Sequence, residues 1–276
     1  MLNNQTIALM RAMKLPAMAN EYQRQLETPA MTALDFEERI GMIVDAEWLQ
    51  RENSRIQRLK KAANLRFNDA CFANIDYRQS RKLERSSIAR LSGFAWIKEH
   101  LNIIITGATG TGKTWLACAF GEEACRMGVK TAFYRASRLI NELCAAAAND
   151  VLDKLLAKLK KCELLIIDDW GLTTIAPTES RLLLEVFEDR YNACSSIISA
   201  QIPVAKWHSL FEDSTIADAI LDRIVHNSYR FELRGSSLRF NKDFGGGTPY
   251  GVQGQNIDAQ SDDDTISKDG ENDAIQ

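Results

Sequence analysis

The chain has 276 residues, a net charge of −3, 45% hydrophobic and 26% charged residues, the balance of an ordinary soluble globular protein. Its apolar runs are far shorter than the roughly 20 residues that a membrane helix needs, which excludes a membrane-spanning reading. The opening MLNNQTIALMRAMK has neither an apolar core nor a small-residue cleavage site, so no secretion signal is expected and the chain is assigned to the cytoplasm.

Residues 1–62 read as a small all-helical N-terminal domain. Leu2, Ile7, Leu9, Met10, Met13 and Leu15 recur near helical spacing until Pro16 interrupts them. Thr32 or Asp35 can cap a long helix, in which Phe36, Ile40, Ile43, Val44, Trp48 and Leu49 fall on one stripe. That helix runs on into RENSRIQRLKKAANLRF, where Arg51, Arg55, Arg58, Lys60 and Lys61 crowd together and Arg66 follows. Residues 51–90 hold eleven Lys and Arg against four Asp and Glu, so a basic block hides inside a weakly acidic total. Phosphates of double-stranded DNA are its expected partner, contacted by Arg51, Arg55, Arg58, Lys60, Lys61 and Arg66. Residues 63–95 form a basic linker, with a short helix toward its end.

At residue 96 a different domain begins. LNIIIT, VKTAFYR, ELLIIDD, SSIISAQ and SYRFEL read as five strands, alternating with helices such as TWLACAFGEEACRMG, 137–161 and 179–191. This alternation predicts an α/β fold with a five-stranded parallel sheet, over residues 96–244. Residues 245–276 open with glycines and end in seven acids against Lys268, a tail too polar to fold alone.

GATGTGKT, residues 107–114, fits the phosphate-loop pattern, between a buried strand and a helix. Glycines let the backbone wrap a phosphate, its amides point inward, and the helix N-terminus adds a favourable dipole. ATP is therefore expected along Gly107, Ala108, Thr109, Gly110, Thr111, Gly112, Lys113, Thr114 and Trp115. Lys113 reaches the β- and γ-phosphates and the Thr114 hydroxyl ligates Mg²⁺. In LLIIDDW, Asp168 ends a buried strand and holds Mg²⁺ through water, while Asp169 polarises an attacking water. Paired acids there favour hydrolysis over transfer to a small acceptor. At the end of the fourth strand Gln201 or Ser199 touches the γ-phosphate or the lytic water. Arg223 can act in trans on a neighbouring subunit's ATP, and Arg239 or Arg234 can contact phosphate in cis. The six cysteines form no Cys-x-x-Cys pair and the three histidines stand apart, so reduced thiols are expected rather than disulfides or a metal cluster.

ITGATGTGKTWLACAFGEEACRMG, LLIIDDWGL and QIPVAKWHSLFEDSTIADAILDRIVHNSYRFEL together resemble the IstB family, the transposition helper ATPases of insertion sequences and cousins of replicative helicase loaders. The resemblance runs from about residue 5 to residue 242. It implies an AAA+ P-loop NTPase, behind a helical N-terminal domain, that binds DNA, oligomerises with ATP and recruits and stimulates a transposase. It makes Gly107, Gly112, Lys113 and Thr114 the Walker A residues, Asp168 and Asp169 Walker B, Gln201 the first sensor and Arg223 the arginine finger. Many relatives have proline where Ala108 stands, and the stretch from Gly245 onward is not typical of the family. A helicase-loader-like ATPase is the alternative. A small-molecule kinase fits the paired acids and the basic N-terminus less well.

Overall fold

The sheet is built from sequences that only a doubly covered strand can accommodate. In the computed structural model, which describes residues 2–77, 82–235, 237 and 238, five strands lie parallel in the order β2-β3-β4-β1-β5. They are β1 (Asn102–Gly107), β2 (Thr131–Arg135), β3 (Leu164–Trp170), β4 (Ser195–Ala200) and β5 (Ser228–Leu233). All five match the strands expected from the sequence. In the three central strands Ile103, Ile104, Ile105, Leu164 to Ile167, Ile197 and Ile198 are fully buried. The acidic tail from residue 245 lies outside the described residues.

One face of the sheet is covered by α6 (Lys113–Arg126), α4 (Arg85–Ser92) and the short α5 (Ala95–Lys98), through Phe120, Trp96 and Phe94. The other face carries α7 (Ala136–Ala148), α8 (Leu152–Lys160), α9 (Pro177–Arg190) and α10 (Ser214–Val225), packed around Trp170, Trp207 and Phe187. The stretch 137–161, read as helical throughout, is two helices. Asp150 takes φ +53°, and the Val151 amide donates to Ala146 O at 3.0 Å, a left-handed cap that ends α7. Gly128 closes α6 in the same way at φ +83°.

Ahead of the sheet lie α1 (Leu2–Ala12), α2 (Pro16–Glu27) and the 28-residue α3 (Phe36–Ala63). The Asp35 carboxylate caps α3 by accepting from the Glu38 amide at 2.8 Å. Buried Glu47 joins α3 to α2. Its Oε2 accepts from the amides of Ala17 (3.0 Å) and Met18 (3.3 Å), so it caps α2 from a distance. Arg51 donates to its other oxygen at 2.8 Å, and this guanidinium with the two amides holds the Glu47 carboxyl below the usual range. The apolar stripe of α3 is not spent inside the chain. Only Ile43 is buried, because α2 covers the line through Ile43 and Glu47. Phe36 is 77% exposed and Trp48 67%, and Ile40, Val44 and Leu49 are exposed with them.

Arg190, at the end of α9, is 3% exposed and ties three chain segments together. Its guanidinium donates to Leu159 O and Cys162 O, both at 2.7 Å, and to Ser195 O. Burial pushes its pKa down, yet the surrounding carbonyls give the charge acceptors in place of water. Arg190→Ala would leave these acceptors without a donor at about 1 kcal/mol or more each, so we expect a loss of about 3 kcal/mol in urea unfolding. A loss below about 1 kcal/mol would show that the guanidinium is dispensable.

Candidate nucleotide site

The parallel register brings the chemistry-bearing residues to one end of the sheet. Thr106 pairs with Ala200 and Gly107 with Leu233, while Arg135 pairs with Asp168. The ends of β1, β3 and β4 therefore open on the same carboxyl-end crevice, where α/β sheets bind ligands. Gly107 leaves β1 at φ +150°, and a Cβ there would sit 2.3 Å from Leu233 O. Gly112 takes φ +88° to turn the loop into α6. Residues 107–112 thus curl over the N-terminus of a 14-residue helix, a cradle of the kind that presents backbone amides to a phosphate.

Inside the cradle Thr111 donates to Ala108 O at 2.8 Å, and Lys113 Nζ donates to the same carbonyl at 2.8 Å. The lysine is buried and lies along the loop it is expected to serve. Thr109 donates to Gln201 Oε1 at 2.8 Å, so the end of β4 touches the loop. Trp115 stands one residue further along α6, half-buried against the core below. The Leu238 amide donates to Gly110 O at 2.9 Å. Arg239, the next residue, lies outside the described residues. Arg234, the other expected cis contact, is paired with Glu232 at 3.0 Å.

Asp168 is fully buried between the first turn of α6 and β4. It accepts from Thr114 Oγ1 at 2.9 and 3.0 Å and from the Ser199 hydroxyl. Arg66 Nη1 lies 3.8 Å from its Oδ2, which brings one residue of the expected DNA-binding block to the nucleotide site. Burial pushes the Asp168 carboxyl up, and the two hydroxyls and the neighbouring amide pull against that. Asp169 follows at φ +59°, a left-handed residue where the β3–β4 register shifts. The bulge turns Asp169 out of the strand's alternation, and it is half-buried where its predecessor is sealed.

Mg²⁺ fits this pair of groups. The Thr114 hydroxyl and the Asp168 carboxylate converge at hydrogen-bond distance, and among the described residues no cluster of three His, Cys, Asp or Glu competes with them. A site with one or two protein oxygens suits a cation that takes its remaining ligands from phosphate and water.

Arg223 stands elsewhere. The Asp213 side chain starts α10 by accepting from the Thr215 and Ile216 amides at 3.0 and 3.2 Å, and Arg223 falls in its last turn. Arg223 O accepts from Asn102 Nδ2 at 3.2 Å, and Asn102 begins β1. Five residues of strand, about 16 Å at 3.3 Å per residue, separate that point from Gly107. The guanidinium lies 2.5 Å from Glu188, an ion pair without hydrogen-bond alignment, and over Tyr191. Asp222, the partner considered from sequence, is 3.3 Å from His226 instead.

The basic block on α3 is largely engaged. Arg51 pairs with Glu47, Arg55 with Glu52 at 3.4 Å, and Lys60 with buried Glu122. Arg58 donates to Ser54 O at 3.3 Å, and it and Lys61 are exposed. Glu47, Arg190 and the approach of Arg66 to Asp168 carry no local sequence signal, because each depends on residues far apart in the chain.

A five-stranded parallel sheet in this order, with a phosphate loop after β1 and an acid after β3, defines an AAA+ P-loop ATPase. The chain belongs to the family of IstB-like ATP binding proteins, whose pattern matches residues 8–244. An insertion sequence ATP-binding protein of Sinorhizobium fredii is 38% identical over 242 residues, covering 88% of this chain and 98% of that one. The ATP-binding protein of insertion sequence IS1162 from Pseudomonas fluorescens is 37% identical over 203 residues, 74% of this chain and 88% of its own. The crystal structure of DnaI superposes with a TM-score of 0.50 at 18% identity, over 60% of this chain and 92% of that one, a likeness of fold. Among the described residues no helix is long and apolar enough to cross a membrane.

The buried acid sets a pH dependence. A carboxyl whose pKa is raised in the folded state favours folding while protonated, and that contribution is lost as pH rises through the folded pKa. Asp168→Asn should therefore melt above the wild type at pH 8 without nucleotide, and the difference should shrink as the pH falls toward the carboxylate range. A constant difference from pH 4 to pH 8 would show that the charge is not the cause.

Proposed function

We propose that this ATPase is an ATP-dependent helper of transposition. It binds double-stranded DNA, oligomerises on it and recruits and stimulates a transposase, and ATP hydrolysis resets the assembly. Its relatives at 37% and 38% identity are named for ATP binding in insertion sequences, which supports transposition. The likeness to DnaI concerns the fold and does not favour helicase loading. The division of labour follows the chain: helices of 1–62 for contacts, 63–95 as a basic linker, 96–244 as the motor and 245–276 as an acidic tail. The six cysteines are free, in keeping with the cytoplasm.

Each described side chain takes a role that its position supports, and Arg239, outside the described residues, keeps the role expected from the sequence. The loop amides and Lys113 hold the β- and γ-phosphates of ATP, with Trp115 beside them and Arg239 as a further phosphate contact. Thr114 and Asp168 hold Mg²⁺, which when bound neutralises charge on the phosphates. Asp169, swung out by the bulge, takes the proton of the attacking water, and Gln201 orients that water from the end of β4. Ser199 keeps Asp168 in place. Arg223 acts on a neighbour's ATP, where its charge offsets that of the transition state.

The observation that carries this reading is the position of Arg223. About 16 Å of β1 separates its backbone from its own phosphate loop, so it serves a nucleotide only on another copy of the chain. Its ion pair with Glu188 must then open on assembly. The exposed apolar face of α3 supports association as well.

Lys113→Ala should abolish ATP binding and turnover. Asp169→Asn should bind ATP normally and lose at least 100-fold in kcat. Arg223→Ala should bind ATP and lose about 1000-fold, the scale of an arginine finger. Mixing the last two variants should restore part of the activity, because one mixed interface then carries an intact Asp169 and an intact Arg223. No restoration at any mixing ratio would count against action between subunits.

A further inference from the structure

An open groove of about 1210 Å³ follows the free edge of β2, which pairs on its other side with β3. One wall is the end of α3 and the turn after it, residues 62–66. The opposite wall is α7 and α8. Besides Arg66 and Arg138, five cations converge on it from the two ends of β2 and from α8. Lys130 and Arg135 flank the strand, and Lys154, Lys158 and Lys161 form a row at i, i+4 and i+7 along α8 and its cap. Lys158 donates to the Tyr134 hydroxyl at 3.3 Å, and no described carboxylate lies within ion-pair distance of any of the five. The one acid in the lining, Glu142, is 3.3 Å from Arg138 and also acts electrostatically on Lys158, so the lining keeps a large positive excess.

This distinguishes the groove from the basic block on α3, where Arg51, Arg55 and Lys60 are already paired with acids. It also differs from a convex, solvated lysine face. A concave surface of predominantly positive sign, with Ala132, Phe133 and Ala157 among its lining, concentrates potential and draws in anions. The C-terminal dipole of α8 favours Lys158 and Lys161 but leaves Lys130, Arg135 and Lys154 without a structural reason. Because α3 supplies one wall, the groove continues the surface that carries the exposed Arg58 and Lys61.

We propose that this groove holds the phosphate backbone of duplex DNA. The inference rests on the DNA-binding reading above and assigns its contacts to the edge of β2 and to α8. Arg66 lines the same groove and stands 3.8 Å from Asp168, so DNA lying there would sit one side chain away from the nucleotide site.

The test uses the full chain and a labelled 30-base-pair duplex, with anisotropy titrations across a salt series. Each phosphate contact contributes about 0.9 to the slope of log K against log salt. Lys154→Gln/Lys158→Gln/Lys161→Gln should lower that slope by about 2 to 3, with unaltered melting temperature and basal ATP turnover. If the wild type binds and this variant keeps its slope, the groove is not the contact, although DNA binding itself stands. If the wild type binds no duplex at any salt concentration, the DNA-binding reading fails and this inference with it. Loss of binding to a poly-glutamate peptide in the variant, with an unchanged DNA slope, would give the groove to an acidic protein segment and overturn the assignment to DNA.

Discussion

The hydrogen bond from half-buried Thr114 to fully buried Asp168, 2.9 Å long, is the contact on which the rest of the molecule turns. It joins the first turn of α6 to the end of β3, two elements that meet only because β4 lies between β1 and β3 in a parallel sheet. An ionised carboxylate buried there is costly unless it is compensated, and Ser199, Thr114 and Arg66 each supply part of that compensation. The Asp168 carboxylate and the Thr114 hydroxyl would hold a divalent ion brought by ATP. A buried acid of this kind exchanges resting stability for affinity, as functional sites commonly do.

The two halves of the proposed active site lie at opposite ends of the sheet. The phosphate loop, Asp168, Asp169 and Gln201 sit at the carboxyl end, and Arg223 leaves from beside the first residue of β1. In the proposed mechanism this spacing makes association part of the chemistry. Within one copy Arg223 is held by Glu188 and Tyr191.

The centre of the fold was legible because its strands carry near-continuous Ile and Leu, a pattern that suits few other environments. The phosphate loop was legible because glycine at positive φ is hard to replace, and Gly107 and Gly112 take such angles. Other features escaped because they arise between distant residues. The stripe on α3 has the spacing of a core face, yet α2 covers only Ile43 and Glu47, and periodicity does not say which partner a face will meet. The split at Asp150 depends on a left-handed cap that an alanine-rich helix hides. The approach of Lys60 to Glu122 and of Arg66 to Asp168 joins residues 62 and 102 positions apart in the chain, so neither could be read locally. The unpaired cations along β2 are dispersed from 130 to 161 and gather only when α8 folds back beside the strand.

The most direct test of the central claim, that ATP binding and assembly on DNA are one event, is particle mass by multi-angle light scattering with duplex DNA, with and without ATP. The account predicts a discrete increase in mass that needs both ATP and DNA and fades as salt rises. A particle of one copy under every condition, with ATP still turned over at full rate, would contradict it.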